Sequence, residues 1–266
     1  MLRYLYDGAI RKVARYYRSK PFAMRNTAPI VSFTFDDVPE SAYTNGATIL
    51  ESQGIRGTFY IASGTLGTND IYWRVIGRDQ VRALYRSGHE IGCHTYSHVA
   101  VDKLDAAEVE DECQRNRDVL RELCPGVELT NFCYPFGRVS LRHRRQLEDR
   151  FETCRSIYQG INAGTLDLGL LRVIELYDRT LTPAKLERVL RQNSARNGWL
   201  IFYTHDVADV PSWIGCSPAL LQATARAARA AGMQCLPVRG ALTAIGYSAA
   251  TAEMPAFNAC ETSASR

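Results

Sequence analysis

The chain has 266 residues, 46% hydrophobic and 23% charged, with a formal net charge of +4. That apolar content can bury one large core, and no apolar run is long enough to cross a bilayer. The charge excess is modest and no nucleic-acid motif accompanies it, so a nucleic-acid partner is not expected.

Residues 1–20 carry Arg3, Arg11, Lys12, Arg15, Arg18 and Lys20 against the single acid Asp7, while Leu2, Leu5, Tyr6, Ala9, Ile10, Val13 and Tyr17 follow a helical stripe. The preferred reading is a helix packed on the following domain with its basic face in water. The same pattern would let it lie on an anionic membrane surface, a peripheral contact that suits a lipid-linked substrate. The charged start is not followed by an apolar h-region, so no secretory signal is read, and the expected location is cytoplasmic, or peripheral at the inner face of the membrane. Residues 1–29 are set apart as this basic segment, 30–246 as one folded domain, and 247–266, rich in Ala, Ser and Thr, as a flexible tail.

The first strand, Ile30 to Phe35, closes on Asp36-Asp37. Side chains on an extended chain alternate, so the two carboxylates can work together only if the chain turns, and Val38-Pro39 supplies a turn. An Asp at a strand end is by itself more often a turn former or cap. A second strand is expected near 57–61, and a third near 89–93 runs into His94-Thr95-Tyr96-Ser97-His98. On a helical turn, imidazoles four apart can converge on one ion. Asp105-Ala106-Ala107-Glu108 then reads as a capping box for a structural helix with Val109, Cys113, Leu120 and Leu123 on one face.

Asn131 to Gly137 reads as a strand ending in a sharp Pro-Gly loop. The basic run Leu141 to Arg145 reads as a solvated helix face. Strands follow near 153–157 and 173–176, then a helix opened by Thr182-Pro183 and stopped near Gly198. Trp199 to Thr204 is an apolar strand leading to His205, a third histidine beside a strand end; His89 and His143 lack that setting. The loop 206–215 is long and carries Trp213, which would stack on a sugar ring or pack the loop, and Asp206, expected to cap or turn the chain. A helix opened by Ser217-Pro218 and stopped near Gly232 precedes a last strand at 233–236. The alternation of strands and helices predicts an α/β fold, a distorted (β/α) barrel of one domain whose site lies at the carboxyl ends of the strands. The eight cysteines form no CxxC pair and are read as buried reduced thiols, consistent with the cytoplasm.

Four short motifs in order, Thr34-Phe35-Asp36-Asp37, His94 to His98, Tyr134-Pro135-Phe136-Gly137 and Tyr203-Thr204-His205, give the chain a resemblance to the polysaccharide deacetylases of the nodulation-protein-B type, carbohydrate esterase family four. The resemblance runs from about Ile30 to about Leu242. It implies the barrel of that family and an activity: hydrolytic removal of N-acetyl groups from amino sugars of an oligosaccharide, a polysaccharide or a lipid-linked glycan. It further implies that Asp37, His94 and His98 hold a divalent metal, that Asp36 is the general base, that the backbone N–H of Phe136 faces the oxyanion, and that His205 protonates the leaving amine. Tyr134, Pro135 and Trp213 are expected near the substrate. Two imidazoles and one carboxylate make zinc the expected ion, with cobalt or another first-row ion as alternatives.

The sequence departs from that family in two places. Cys133 stands where many members have an Arg that orients the base, so another group must hold Asp36. Ser156 to Asn162 lacks the acid and Trp of the fourth motif, leaving Asp167 or Asp178 as substitutes. These departures keep two further readings open: an amidohydrolase of a small non-sugar amide, and a non-catalytic glycan-binding protein on the same scaffold. Oligomeric state is not legible.

Overall fold

The computed structural model of the chain describes residues 19–248, so the basic stripe up to Arg18 and the tail beyond Ser248 lie outside the described residues. Lys20, counted with that stripe, does not face water alone: its ammonium donates to the carbonyls of Glu148 and Phe151, each at 2.8 Å.

The first element is the short β1 (Pro21–Ala23), followed by β2 (Ile30–Asp36), every residue of which is buried. Continuous burial is what a parallel strand covered on both faces requires. Its residues sort by parity. Val31, Phe33 and Phe35 join Leu50 of α1 (Thr48–Ser52), together with Val81 and Leu84 of α2 (Arg78–Arg86), in the layer between sheet and helices. Ile30 turns the other way, into a cluster with Trp199 and Ile201. Asp36 shares this inward parity, so the strand delivers it over the barrel interior.

The remaining strands are β3 (Thr58–Ile61), β4 (Glu90–Cys93), β5 (Asn131–Cys133), β6 (Thr153–Gln159), β7 (Thr165–Asp167), β8 (Leu171–Glu175), β9 (Trp199–Thr204) and β10 (Gln234–Cys235). β2, β3, β4, β5, β6, β8 and β9 pair in that order and β9 closes on β2, giving a barrel of seven parallel strands. β10 pairs with Ile30 and Val31, below the point where β3 joins β2 at Thr34 to Asp36, so the barrel is splayed at its base and the last strand fills the gap. All eight expected strands are present. β1 and β7 were not foreseen; they form a separate antiparallel pair, Pro21 opposite Asp167.

The helical punctuation reads as expected. α3 (Ala106–Leu123) opens on the reciprocal pair Asp105 and Glu108, in which each side chain accepts the other's N–H at 2.7–2.9 Å. α5 (Pro183–Ser194) and α6 (Pro218–Ala230) are capped by Thr182 and Ser217. Between α3 and α5 in the chain, α4 (Arg144–Arg150) corrects part of one expectation: in the Leu141 to Arg145 run Arg142 and Arg145 are exposed, but His143 and Arg144 are not on a solvated face. Arg144 is buried in ion pairs with Glu148 and Asp167, and His143 is buried with Nε2 2.9 Å from the Leu104 carbonyl. The fold ends with α7 (Val238–Ala244). The cysteines among the described residues are free thiols, all buried except the half-buried Cys235. No helix among the described residues is long and apolar enough to cross a membrane.

Candidate active site

The chain leaves β2 through a tight turn: Asp37 has φ +57° and Val38 φ +46°, and the Val38 N–H donates to the Asp36 carbonyl at 2.6 Å. This reversal is why adjacent carboxylates serve different neighbours. Asp36 stays over the barrel axis, while Asp37 swings out toward the loop after β4. Positive φ is costly for a residue other than glycine, and five of the six such positions among the described residues, Asp37, Val38, Thr95, His98 and Phe136, lie in the loops around this point.

His94 and His98 do not sit on a helical turn as expected. They flank an irregular loop in which Thr95 and His98 both have positive φ, yet the rings still approach to 5.0 Å between centroids. The loop is tied down by α3. Glu112 Oε2 accepts the N–H groups of Tyr96 and Ser97 at 2.9 and 2.8 Å, and Oε1 accepts the Ser97 hydroxyl at 2.6 Å. One turn on, Asn116 accepts the Ser63 N–H and donates to the Ile61 carbonyl. The helix read as structural thus braces two loops at the mouth of the barrel.

Asp37 Oδ1 lies 3.3 Å from His94 Nε2 and 2.9 Å from His98 Nε2, and it is buried without a hydrogen-bond partner. His94 Nδ1 is 2.8 Å from the Cys133 carbonyl and donates to it, so its Nε2 presents a lone pair. The His94 and His98 nitrogens and this otherwise unsatisfied carboxylate oxygen form a set that could hold a divalent cation. The electrostatics agree. Burial works against the Asp37 carboxylate, but the two imidazoles outweigh it and hold Asp37 well below the usual carboxylate range. Burial likewise lowers His98, and Asp37 outweighs it, so the His98 pKa rises.

Asp36, Cys133 and His94 also approach one another, but no metal fits there, because the Arg155 guanidinium already occupies the spot. Arg155, from β6, donates to Asp36 Oδ1 and has the same nitrogen 2.7 Å from Cys133 Sγ. This is the group that holds Asp36, and sequence reading did not find it. Burial disfavours its charge, but Asp36 more than offsets that and raises the Arg155 pKa.

His205 follows β9, with Nε2 4.0 Å from Asp37 Oδ2. Its Nδ1 is 3.2 Å from the Ile214 carbonyl, which fixes the ring in place of an acid. Neither expected substitute reaches it: Asp167 accepts from Lys20 and Arg144, and Asp178 from Ser217. Asp206 holds its own loop through the Ser212 N–H at 2.7 Å.

A cavity of about 590 Å³ opens above these groups, lined by Asp36, Asp37, His94, His98, Tyr134, Phe136, His205 and Trp213. Pro135, expected near substrate, is buried beneath the turn and does not line it. Sequence reading also missed the wall from the loop after β3, Asp70 to Trp73, and Glu175 at the end of β8 with Tyr177 and Arg179 beyond it. The aromatic pair Tyr72-Trp73 in a polar loop was the available signal; Trp73 stands 5.8 Å from His205, ring to ring. Five of the six exposed large hydrophobic side chains among the described residues, Ile71, Tyr72, Phe136, Ile157 and Trp213, line this cavity.

Residues 23–150 match the family model for polysaccharide deacetylase, a stretch that includes Asp36, Asp37, His94, His98 and Phe136 but ends before Arg155 and His205. A chitin deacetylase of Arthroderma benhamiae is 28% identical over 106 residues, covering 40% of this chain and 27% of that relative's length, so the matched stretch is about a quarter of the relative. In solved structures, the barrel superposes on a T48 deacetylase with substrate at TM-score 0.58 and 18% identity, covering 84% of this chain and 94% of that one. It also superposes on a mutant of BA3943, described as a family-four pseudoenzyme, at TM-score 0.61 and 13% identity, covering 85% and 72%. At such identities the superpositions speak for the fold.

Proposed function

We propose that this chain, whose residues 23–150 match the polysaccharide deacetylase family model, is a metal-dependent hydrolase that removes N-acetyl groups from amino sugars of an oligo- or polysaccharide, or of a lipid-linked glycan. The observation that carries the proposal is the convergence of Asp37 Oδ1 with two imidazole Nε2 atoms, between Asp36 on one side and His205 on the other.

A divalent ion held by Asp37, His94 and His98 would supply Lewis acidity toward a water and the amide carbonyl; the donor set suits zinc, with cobalt or another first-row ion able to replace it. Asp36 accepts the proton of the attacking water. One of its oxygens is taken by Arg155, while Oδ2 has only the weak Cys133 thiol at 3.8 Å and stays available as the acceptor. The Phe136 N–H stabilises the oxyanion from the loop after β5. His205, turned by its Nδ1 contact with the Ile214 carbonyl, presents Nε2 to the cavity and protonates the amide nitrogen, without which that nitrogen is a poor leaving group. Tyr134 and Trp213 border the sugar, and the apolar rim matches the flat, C–H-rich faces of pyranose rings.

The test is acetate release from N-acetylated chitooligosaccharides by metal-free protein, before and after zinc or cobalt is added, beside His205→Ala. Release that needs the metal and is lost in the variant supports the proposal. Stoichiometric zinc binding with no release from any N-acetylated sugar would shift the assignment to a non-sugar amide, and no zinc binding would leave the non-catalytic reading.

A further inference from the structure

We propose that Arg155 is the positioning residue for Asp36, working as a size-matched pair with Cys133: a cation reaching the base from one strand because its neighbour carries a small side chain. The proposal rests on the deacetylase reading of the site. Cys133 of β5 and Arg155 of β6 are direct partners in the parallel register. Arg155 is fully buried, and its guanidinium crosses the top of the barrel interior to Asp36 Oδ1, grazing Cys133 Sγ on the way. Aromatic faces flank it, Tyr60 at 5.0 Å and Tyr203 at 5.1 Å, and Nη1 donates to the Ser156 carbonyl at 3.1 Å. A side chain larger than cysteine at 133 would fill the space the guanidinium uses.

Several features assign this pair to the reaction rather than to the fold alone. A buried ion pair is a poor source of net stability compared with well-packed apolar side chains. This one sits directly beneath the cavity that Asp36 lines. The guanidinium binds one oxygen of the carboxylate and, never losing its own proton, cannot compete for the proton that Asp36 is to accept.

The experiment uses the full chain loaded with zinc and the N-acetylated chitin pentamer as probe, and compares Arg155→Ser, Arg155→Lys, and Arg155→Ser combined with Cys133→Arg, which moves the guanidinium to the adjacent strand. Zinc content and kcat and KM are read separately. Arg155→Ser is expected to keep one zinc and to lower kcat by about 100-fold with KM within about threefold. The relocated arginine is expected to recover at least about tenfold of that loss, and Arg155→Lys to fall between, since an ammonium reproduces the charge but not the planar fork. If Arg155→Ser does not fold, the relocated and lysine variants still decide. Parental kcat in Arg155→Ser or Arg155→Lys, a defect confined to KM, or a folded, zinc-loaded relocated variant with no recovered turnover overturns the proposal. Parental protein that releases no acetate overturns the deacetylase reading itself and this role with it, whereas an active parent with an indifferent Arg155 overturns this role alone.

Discussion

Removing the Glu112 carboxylate separates bracing of the loop between His94 and His98 from simple helix packing. Glu112→Ala deletes three hydrogen bonds to a charged acceptor, two of them from the backbone N–H groups of Tyr96 and Ser97. Bonds to a charged group contribute about 1.5–3 kcal/mol each, but the loop is only partly buried and water can replace some of that, so the expected loss is about 3–5 kcal/mol. Glu112→Gln can keep all three contacts: its carbonyl oxygen accepts the two N–H groups while its amide donates to the Ser97 hydroxyl, so only charge assistance is lost, about 1–2 kcal/mol. Urea unfolding of the metal-free protein measures both. Because the braced loop ends at His98, the alanine variant should also bind zinc about 10–100-fold more weakly, and the glutamine variant should stay within about tenfold of the parent. Stability within about 1 kcal/mol of the parent together with unchanged zinc affinity in Glu112→Ala would refute the bracing argument.

Asp37→Ala or His94→Ala should lose zinc and turnover together, and normal turnover by metal-free variant would remove these residues from the metal site. Asp36→Asn should retain one zinc while kcat drops by about 100-fold or more; wild-type rates would require a different base. Trp213→Ala should raise KM for the chitin pentamer by about 3–10-fold with kcat little changed, and an unchanged KM would return Trp213 to loop packing. Asp37 raises the His98 pKa above 6.5 in the metal-free chain. A protonated imidazole cannot ligate, so zinc affinity should be full above that raised pKa and fall as pH drops through it; a profile flat from about pH 8 to about pH 5 would contradict His98 as a ligand.

The barrel was legible because its strands announce themselves: Trp199–Thr204 is apolar but for its last residue and Ile30–Asp36 carries Ile30, Val31, Phe33 and Phe35, as suits parallel strands covered on both faces, with turn residues at their ends. The pieces that escaped are short or geometric. β1 and β7 have three residues each, too few for a period. Glu112 and Asn116 fall in register with the apolar stripe of α3, and a polar residue in such a stripe is a visible sign of a buried partner, but nothing in the sequence names the loop it holds. Arg155 is the sharper case. The motif placed the search for a cation at position 133 and found cysteine, while the requirement itself, a buried carboxylate needing a positive partner, is indifferent to which strand answers it. In a closed barrel, the inward side chains of β5 and β6 reach the same point above the axis, so a cation can pass from one to the other if the vacated position becomes small. An arginine inside Thr153–Gln159, a strand whose first four residues are buried, was the signal, and it becomes decisive only once closure of the barrel sets β6 facing β2 across the interior.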